Sequence, residues 1–329
     1  MKKRNETIDI LKGTAILAVI FGHAVQRGLV YNYTDTIAWK IIYSFHMPLF
    51  VLLSGFTLYI STSNYNFNWV KKKFYRLIIP LITWTIITEF MSNFNFTGLK
   101  PFTYFPDSVY QFIKTSVAHP DWVFWFLWTI FIFMIIFYLV NKVSNKYSIV
   151  NKYQIACFII IEMILLMLPK EYLGLRKICY YFPMFICGYY ISKFKNYVFK
   201  YLKYVAVPSI IIWVLFADKW GSDVIKFNFT IIYKYIIAFA GIISIYFVVR
   251  LFKNYLKWLA YFGRNSLELY LCESVFLNIG IKSGYIRVIS IFITCLFFSL
   301  LSAKILKINK LTRFFAFGAY KNINNLNIQ

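Results

Sequence analysis

Residues 8–23 read Ile8-Asp9-Ile10-Leu11-Lys12-Gly13-Thr14-Ala15-Ile16-Leu17-Ala18-Val19-Ile20-Phe21-Gly22-His23. The run is apolar enough to enter a bilayer, yet it holds an aspartate, a lysine and a histidine. Continued to about residue 30, it reaches the roughly 20 residues that a helix needs to cross the hydrocarbon core. No small-residue cleavage motif follows it, so it reads as a retained first span and not as a signal peptide. Lys12 and His23 lie eleven residues apart, close to three turns at 3.6 residues per turn. Their side chains therefore share one face, about 16 Å apart along the axis. That stripe could hold a long phosphorylated donor, with its anionic end at Lys12 and its reactive end at His23. The plainer readings are a snorkelling lysine and a histidine that bonds a neighbouring helix.

The rest of the 329 residues continues in the same manner. Hydrophobic residues make up 60% and charged residues 15%, against about 25% charged in soluble domains. The expected fold is all-α, a polytopic transmembrane bundle of ten spans near 8–30, 40–62, 74–96, 122–141, 153–169, 177–193, 203–217, 230–250, 264–281 and 285–306. The whole of 1–329 is expected to be one membrane-embedded domain with no appended soluble domain. With the N-terminus inside, 23 of the 36 basic residues fall on inner segments and 12 on outer loops, Lys12 lying within the first span. That bias places both termini in the cytoplasm. The net charge of +24 then reflects topology and excludes nucleic acid as the expected partner. The inner basic face suits phosphate-bearing ligands and anionic lipid.

The five cysteines show no CxxC and no metal-ligand spacing, so they read as small packing residues and no metal is expected. The connection over 97–121 carries Pro101, Pro106 and Pro120 and reads as a lid or an acceptor-contacting loop. In the second span, Pro48 removes a backbone donor and kinks the helix, and Ser54-Gly55 permits close helix approach. His46 is either a second site residue or a partner for a carbonyl freed by that kink. Lys73 and Arg76, three apart, are neighbours on one helix face and read either as a phosphate clamp or as an ordinary positive-inside flank. Glu162 stands mid-span, and Glu268 and Glu273 lie in the polar ninth span. Carboxylates at such depth are functional candidates.

In order, these pieces resemble the acyltransferase-3 family of membrane acyltransferases, above all its short members that O-acetylate sugars. The resemblance rests on Ile8–Gly13 with Gly22-His23; Phe45-His46-Met47-Pro48-Leu49-Phe50 with Leu53-Ser54-Gly55-Phe56; Lys73 and Arg76 with Leu77-Ile78-Ile79-Pro80; Trp125-Phe126-Leu127; Phe185–Tyr190; and Gly263-Arg264-Asn265-Ser266-Leu267 with Tyr270-Leu271. It implies a ten-helix bundle that moves an acyl group, acetyl by family habit, from cytoplasmic acyl-CoA to a glycan acceptor. Acetyl-CoA enters as a co-substrate, and no permanently bound cofactor is implied. His23 takes the role of the essential histidine and Lys12 that of the paired cation, with Asp9 in the same motif. Lys73, Arg76 and Lys12 would hold the donor phosphates. His46, Ser54, Trp125, Glu162, Asn265, Ser266 and Glu273 are the candidate substrate-binding residues, with Ser54, Asn265 and Ser266 as oxyanion donors.

Two positions depart from the family pattern: Lys73 where arginine is usual, and Cys272-Glu273 where many members carry a histidine. A composition rich in Lys, Asn, Ile, Tyr and Phe favours a bacterial plasma membrane. The rival functions are a transporter of a glycan or lipid-linked sugar, with Glu162, Glu268 and Glu273 coupling protons, and a structural membrane component. No inverted repeat supports the first, and the second leaves the Lys12–His23 stripe without a role.

Overall fold

A computed structural model describes residues 5–29, 33–61, 65–93, 119–120, 124–147, 151–220, 230–277 and 284–319. Most of the connection 97–121 lies outside them. The described residues form helices and turns and no strand. We number the helices α1 (Glu6–Gly28), α2 (Ile37–Ser61), α3 (Phe67–Asn93), α4 (Trp125–Lys146), α5 (Asn151–Met167), α6 (Leu175–Lys193), α7 (Lys195–Phe216), α8 (Thr230–Leu251), α9 (Leu259–Arg264), α10 (Ser266–Phe276), α11 (Tyr285–Leu306) and α12 (Lys310–Phe317).

Six segments among the described residues are long and apolar enough to cross a membrane: α1, α2, α4, α7 with the turn that follows it to Lys219, α8 and α11. α5 is apolar but shorter. Outward-facing apolar side chains fit a lipid surround. Val207, Ile211, Val214 and Leu215 of α7 and Ile159, Ile160, Met163 and Ile164 of α5 are all more than half exposed, far beyond what a water-soluble surface tolerates in one patch. This is a helical membrane protein.

The ninth expected span departs most from its sequence reading. In place of one helix over 264–281, α9 ends at Arg264, the chain turns at Asn265 (φ −107°, ψ 18°), and α10 runs only to Phe276. Eleven residues cover about 16 Å at 1.5 Å per residue, half the hydrocarbon thickness.

The chain forms two compact units, one of residues 1–61 and 184–303, the other of 62–183 and 304–329. In the first, α1 is central and packs against α2, α8, α9 and α10. Its N-terminus is capped by the Asn5 side chain, which accepts from the Thr7 N–H at 3.1 Å. Ile10, Ala15, Ile16, Ile20 and Ala24 are fully buried. The tightest crossing joins α1 to α9. A Cβ on Gly13 would collide with the Leu259 carbonyl, and one on Gly263 with the Asp9 carbonyl. Two backbones meet with no side chain between them, which hydrogen-only positions allow in membrane helices. Gly55 and Gly188 do the same for α2 and α6, against the carbonyls of Phe185 and Leu52. α2 is further tied to α7, where the Trp213 indole donates to Ser44 Oγ at 2.9 Å.

The second unit is held by aromatic rings. Phe137 packs on Tyr65 and Phe158, with centroids 5.0 and 5.8 Å apart, and Phe182 contacts Phe133 and Phe158. Inside it, Gln154 donates to Asn141 Oδ1 at 3.1 Å between α5 and α4. The short α12 lies along α3, where the Trp84 indole donates to the Ala316 carbonyl at 2.8 Å.

The α1–α9 crossing yields a stability prediction. Gly263→Val is expected to destabilise the protein by about 1–3 kcal/mol, the usual range for overpacking, read as a lower melting temperature in detergent. A variant that melts with wild type would show that the two backbones do not need this contact.

Candidate active site

α1 is unbroken from Glu6 to Gly28, so Lys12 and His23 keep the eleven-residue spacing that puts them on one face. Both are half-buried, and Asp9 is buried at 5% exposure. A 3.2 Å ion pair between Glu6 and Lys253 ties down the start of the helix.

His23 meets Glu273. Its Nδ1 lies 3.2 Å from Glu273 Oε1, with the histidine side chain 31% exposed and the glutamate 2% exposed. The pairing follows from register. Gly13 and Gly263 touch, and His23 and Glu273 each lie ten residues further on. On α1 that is about 15 Å; from Gly263 the turn at Asn265 intervenes, and α10 packs against α1. Glu273 is thus sealed behind the imidazole, and a reactant reaches the ring from its open side. The second carboxylate oxygen, Oε2, is buried and has no hydrogen-bond partner among the described residues. A buried carboxylate so incompletely matched is a poor stabilising device, which makes it a candidate functional group. At 3.2 Å the contact is longer than the 2.7–2.9 Å usual for a charge-assisted bond; catalytic contacts of this kind tighten when substrate binds.

α2 supplies the neighbouring wall. A Cβ on Gly22 would press on the Tyr43 ring at 3.0 Å and on Ile42 Cγ2 at 3.2 Å. The small residue before His23 therefore lets α2 come close. One turn on, His46 is buried at 2% exposure, with the Tyr43 ring edge-on at 4.7 Å and His23 within electrostatic reach. Its Nδ1 lies 2.6 Å from the Ile42 carbonyl. A carbonyl only accepts, so Nδ1 carries the proton and Nε2 keeps the lone pair. The carbonyl that Pro48 leaves without its helical donor is that of Ser44, four residues back. His46 bonds Ile42 instead, so the kink does not explain it.

The other candidates separate. Ser54 donates to Phe50 O at 2.8 Å within its own helix, which commits its only proton. Asn265 donates to Tyr261 O at 2.9 Å, at the turn between α9 and α10, and half-buried Ser266 opens α10. Trp125 and Glu162 belong to the second unit. There Trp125 stacks on Tyr181 at 5.0 Å beneath Lys177. Glu162 has Lys170 as its charged neighbour, and its Oε2 has no hydrogen-bond partner among the described residues. Lys73 and Arg76 stand in that unit as well, Lys73 half-buried with Nζ 5.4 Å from the Trp69 ring and Arg76 exposed.

Residues 5–308 match the Acyl_transf_3 family, described as an acyltransferase domain. The chain belongs to this family. It has curated relatives among nodulation proteins: NolL of Sinorhizobium fredii, 25% identical over 238 residues, which are 68% of this chain and 60% of the relative, and NolL of Mesorhizobium japonicum, 29% identical over 151 residues, 44% of this chain and 38% of the relative. The chain thus aligns with about 60% of the first relative's length and 38% of the second's. No solved structure matches it. The family match runs across both compact units and takes in His23, Glu273, Lys73 and Arg76.

Sequence offered Glu273 as a substrate-binding candidate, and its contact with His23 points to a different role to test. Glu273→Gln preserves side-chain volume and one acceptor oxygen but removes the charge. The expected outcome is a melting temperature near that of wild type with acyl transfer reduced at least about tenfold, toward the range general acid–base partners supply. Full activity in this variant would show that the carboxylate does nothing for His23.

Proposed function

We propose that the protein moves an acyl group, acetyl in the first instance, from acyl-CoA on the cytoplasmic side to a hydroxyl of a cell-surface or exported glycan. His23 acts as general base, and the place of action is a bacterial plasma membrane with both termini inside. The observation that carries this reading is the His23–Glu273 pair.

A sugar hydroxyl attacks a thioester poorly until its proton has somewhere to go. An imidazole suits that task near neutral pH. The Nδ1 edge of His23 faces Glu273, so Nε2 is the nitrogen left for the acceptor. In the proposed step the hydroxyl oxygen bonds to the thioester carbonyl carbon while its proton passes to Nε2. The C–S bond then breaks, and CoA leaves with the proton returned from His23. Glu273 holds the ring in one orientation and offsets the positive charge that forms on it, as a carboxylate does behind a catalytic histidine in acyl-transfer enzymes of other folds. Lys12 on the same face of α1, and Lys73 with Arg76, are assigned to donor phosphates. The neutral Nε2 acceptor of His46 is assigned to a sugar hydroxyl. The family's acyltransferase description supports the reaction class, and the family's sugar O-acetylating members suggest the acceptor.

Two measurements test this. His23→Ala, shown to insert and fold, is expected to lose transfer of labelled acetyl to membrane or surface glycan by about 10²- to 10⁴-fold; wild-type transfer would exclude His23 as base. The double variant Lys73→Ala with Arg76→Ala is expected to raise the apparent KM for acetyl-CoA well above its effect on kcat. An unchanged KM would remove the pair from the donor site.

A further inference from the structure

α12 lies outside residues 5–308 that match the family, yet it is built into the second unit at the level of Lys73 and Arg76. The Phe314 ring meets the Tyr75 ring at 5.9 Å. The helix ends on Gly318, whose φ of +60° is the left-handed closing conformation. A Cβ there would strike the Tyr75 carbonyl and come within 2.5 Å of Arg76 Cα. The C-terminus of α12 is thus seated on the α3 backbone beside Arg76.

Arg313 is the unexplained residue of this helix. It lies three and four positions before Ala316 and Phe317, both buried, and so shares their inward face. Its Nε is buried and has no hydrogen-bond partner, and its side chain makes no ion pair or ring contact among the described residues. A guanidinium carries five donors in a planar fork and stays charged. Turned inward without a counter-ion, it is unfavourable as a purely structural element. The two helices that meet here supply no nearby anion: between 304 and 319 there is no carboxylate, and in α3 the only acidic residue is Glu89, thirteen residues or about 20 Å along the helix from Arg76. An isolated fork on the residue next to Phe314, whose ring meets Tyr75 between Lys73 and Arg76, suits a phosphate group.

We propose that Arg313 is a further binding residue for the phosphates of the acyl-CoA donor, brought to Lys73 and Arg76 by α12 and held there by Gly318. The proposal rests on the donor assignment made above. The same chemistry could serve an anionic phospholipid headgroup, and the experiment separates the two.

The full-length protein in detergent is assayed for acetyl-CoA binding by thermal stabilisation and, in vesicles, for transfer kinetics. Arg313→Ala is expected to raise the KM for acetyl-CoA about tenfold, the order of a lost charge-assisted bond, with kcat within about twofold. Arg313→Lys is expected to recover only part of the affinity, since it keeps the charge and loses the fork. Gly318→Ala, whose added methyl would press on the Tyr75 carbonyl and the Arg76 backbone, is expected to raise KM in the same direction by displacing α12. Equal KM values for wild type and Arg313→Ala would overturn the proposal. So would an Arg313→Ala effect seen only in vesicles of anionic phospholipid and absent in phosphatidylcholine, which assigns the fork to headgroups. If wild type is neither stabilised by acetyl-CoA nor able to use it, the donor reading itself falls and this inference with it.

Discussion

Gly13 and Gly263 let two helix backbones touch, and the chemistry of the first unit is measured from that contact. In hydrocarbon no hydrophobic force presses one helix on another, so association rests on close packing and on polar contacts. A carbonyl seated where a Cβ would otherwise stand fixes both the distance between α1 and α9 and their rotation. From that point the two chains advance by the same number of residues to His23 and Glu273. A register error of one residue would turn Glu273 by about 100° around α10 and send a carboxylate into lipid. The glycines therefore position the His23–Glu273 contact, about 15 Å away along α1, without touching it.

Stability and chemistry draw on different residues. The aromatic clusters around Phe137 and Phe182, and the apolar stripe of α1, account for cohesion. Glu273 contributes to none of this. Burying a carboxylate carries a penalty of several kcal/mol that its partner only partly offsets, and an apolar side chain of equal volume would fill the space more favourably. The glutamate stands there against that gradient, next to a histidine with an open face and in a chain whose family is one of acyltransferases.

Much of this is legible in sequence, and the failures have physical causes. The spans that became α1, α2, α4, α7, α8 and α11 are read from apolar length alone, since bilayer thickness sets that length. The Lys12–His23 stripe is read from helical periodicity, and α1 is straight enough in its hydrogen bonding to preserve it. The ninth span fails because Asn265 breaks it. Its side chain bonds back to the Tyr261 carbonyl, a local alternative to helix continuation that composition does not reveal. The Glu273–His23 contact fails for a different reason: it depends on a crossing between residues 250 positions apart, and nothing local distinguishes Glu273 from Glu268. Arg313 looks in sequence like one more inner-face cation, and only its inward side of α12 separates it from Lys310, which is exposed.

The surroundings of the two histidines favour one of them as the proposed base. Each has Nδ1 turned to an oxygen of its neighbourhood, but the oxygens differ. His46 faces the Ile42 carbonyl, a dipole that fixes a tautomer and offers little to offset a full positive charge in a buried place. His23 faces a carboxylate. Accepting a proton at Nε2 makes an imidazolium of either ring, and in a low-dielectric interior that product is tolerable only beside an opposite charge. His23 has a carboxyl group at its Nδ1 edge, and its ring is partly open where His46 is closed. The same comparison explains why Glu273 is sealed behind the ring instead of sharing its open face. Water at the carboxylate would screen the attraction that the protonated histidine needs, and burial keeps that attraction directed along the Nδ1 contact.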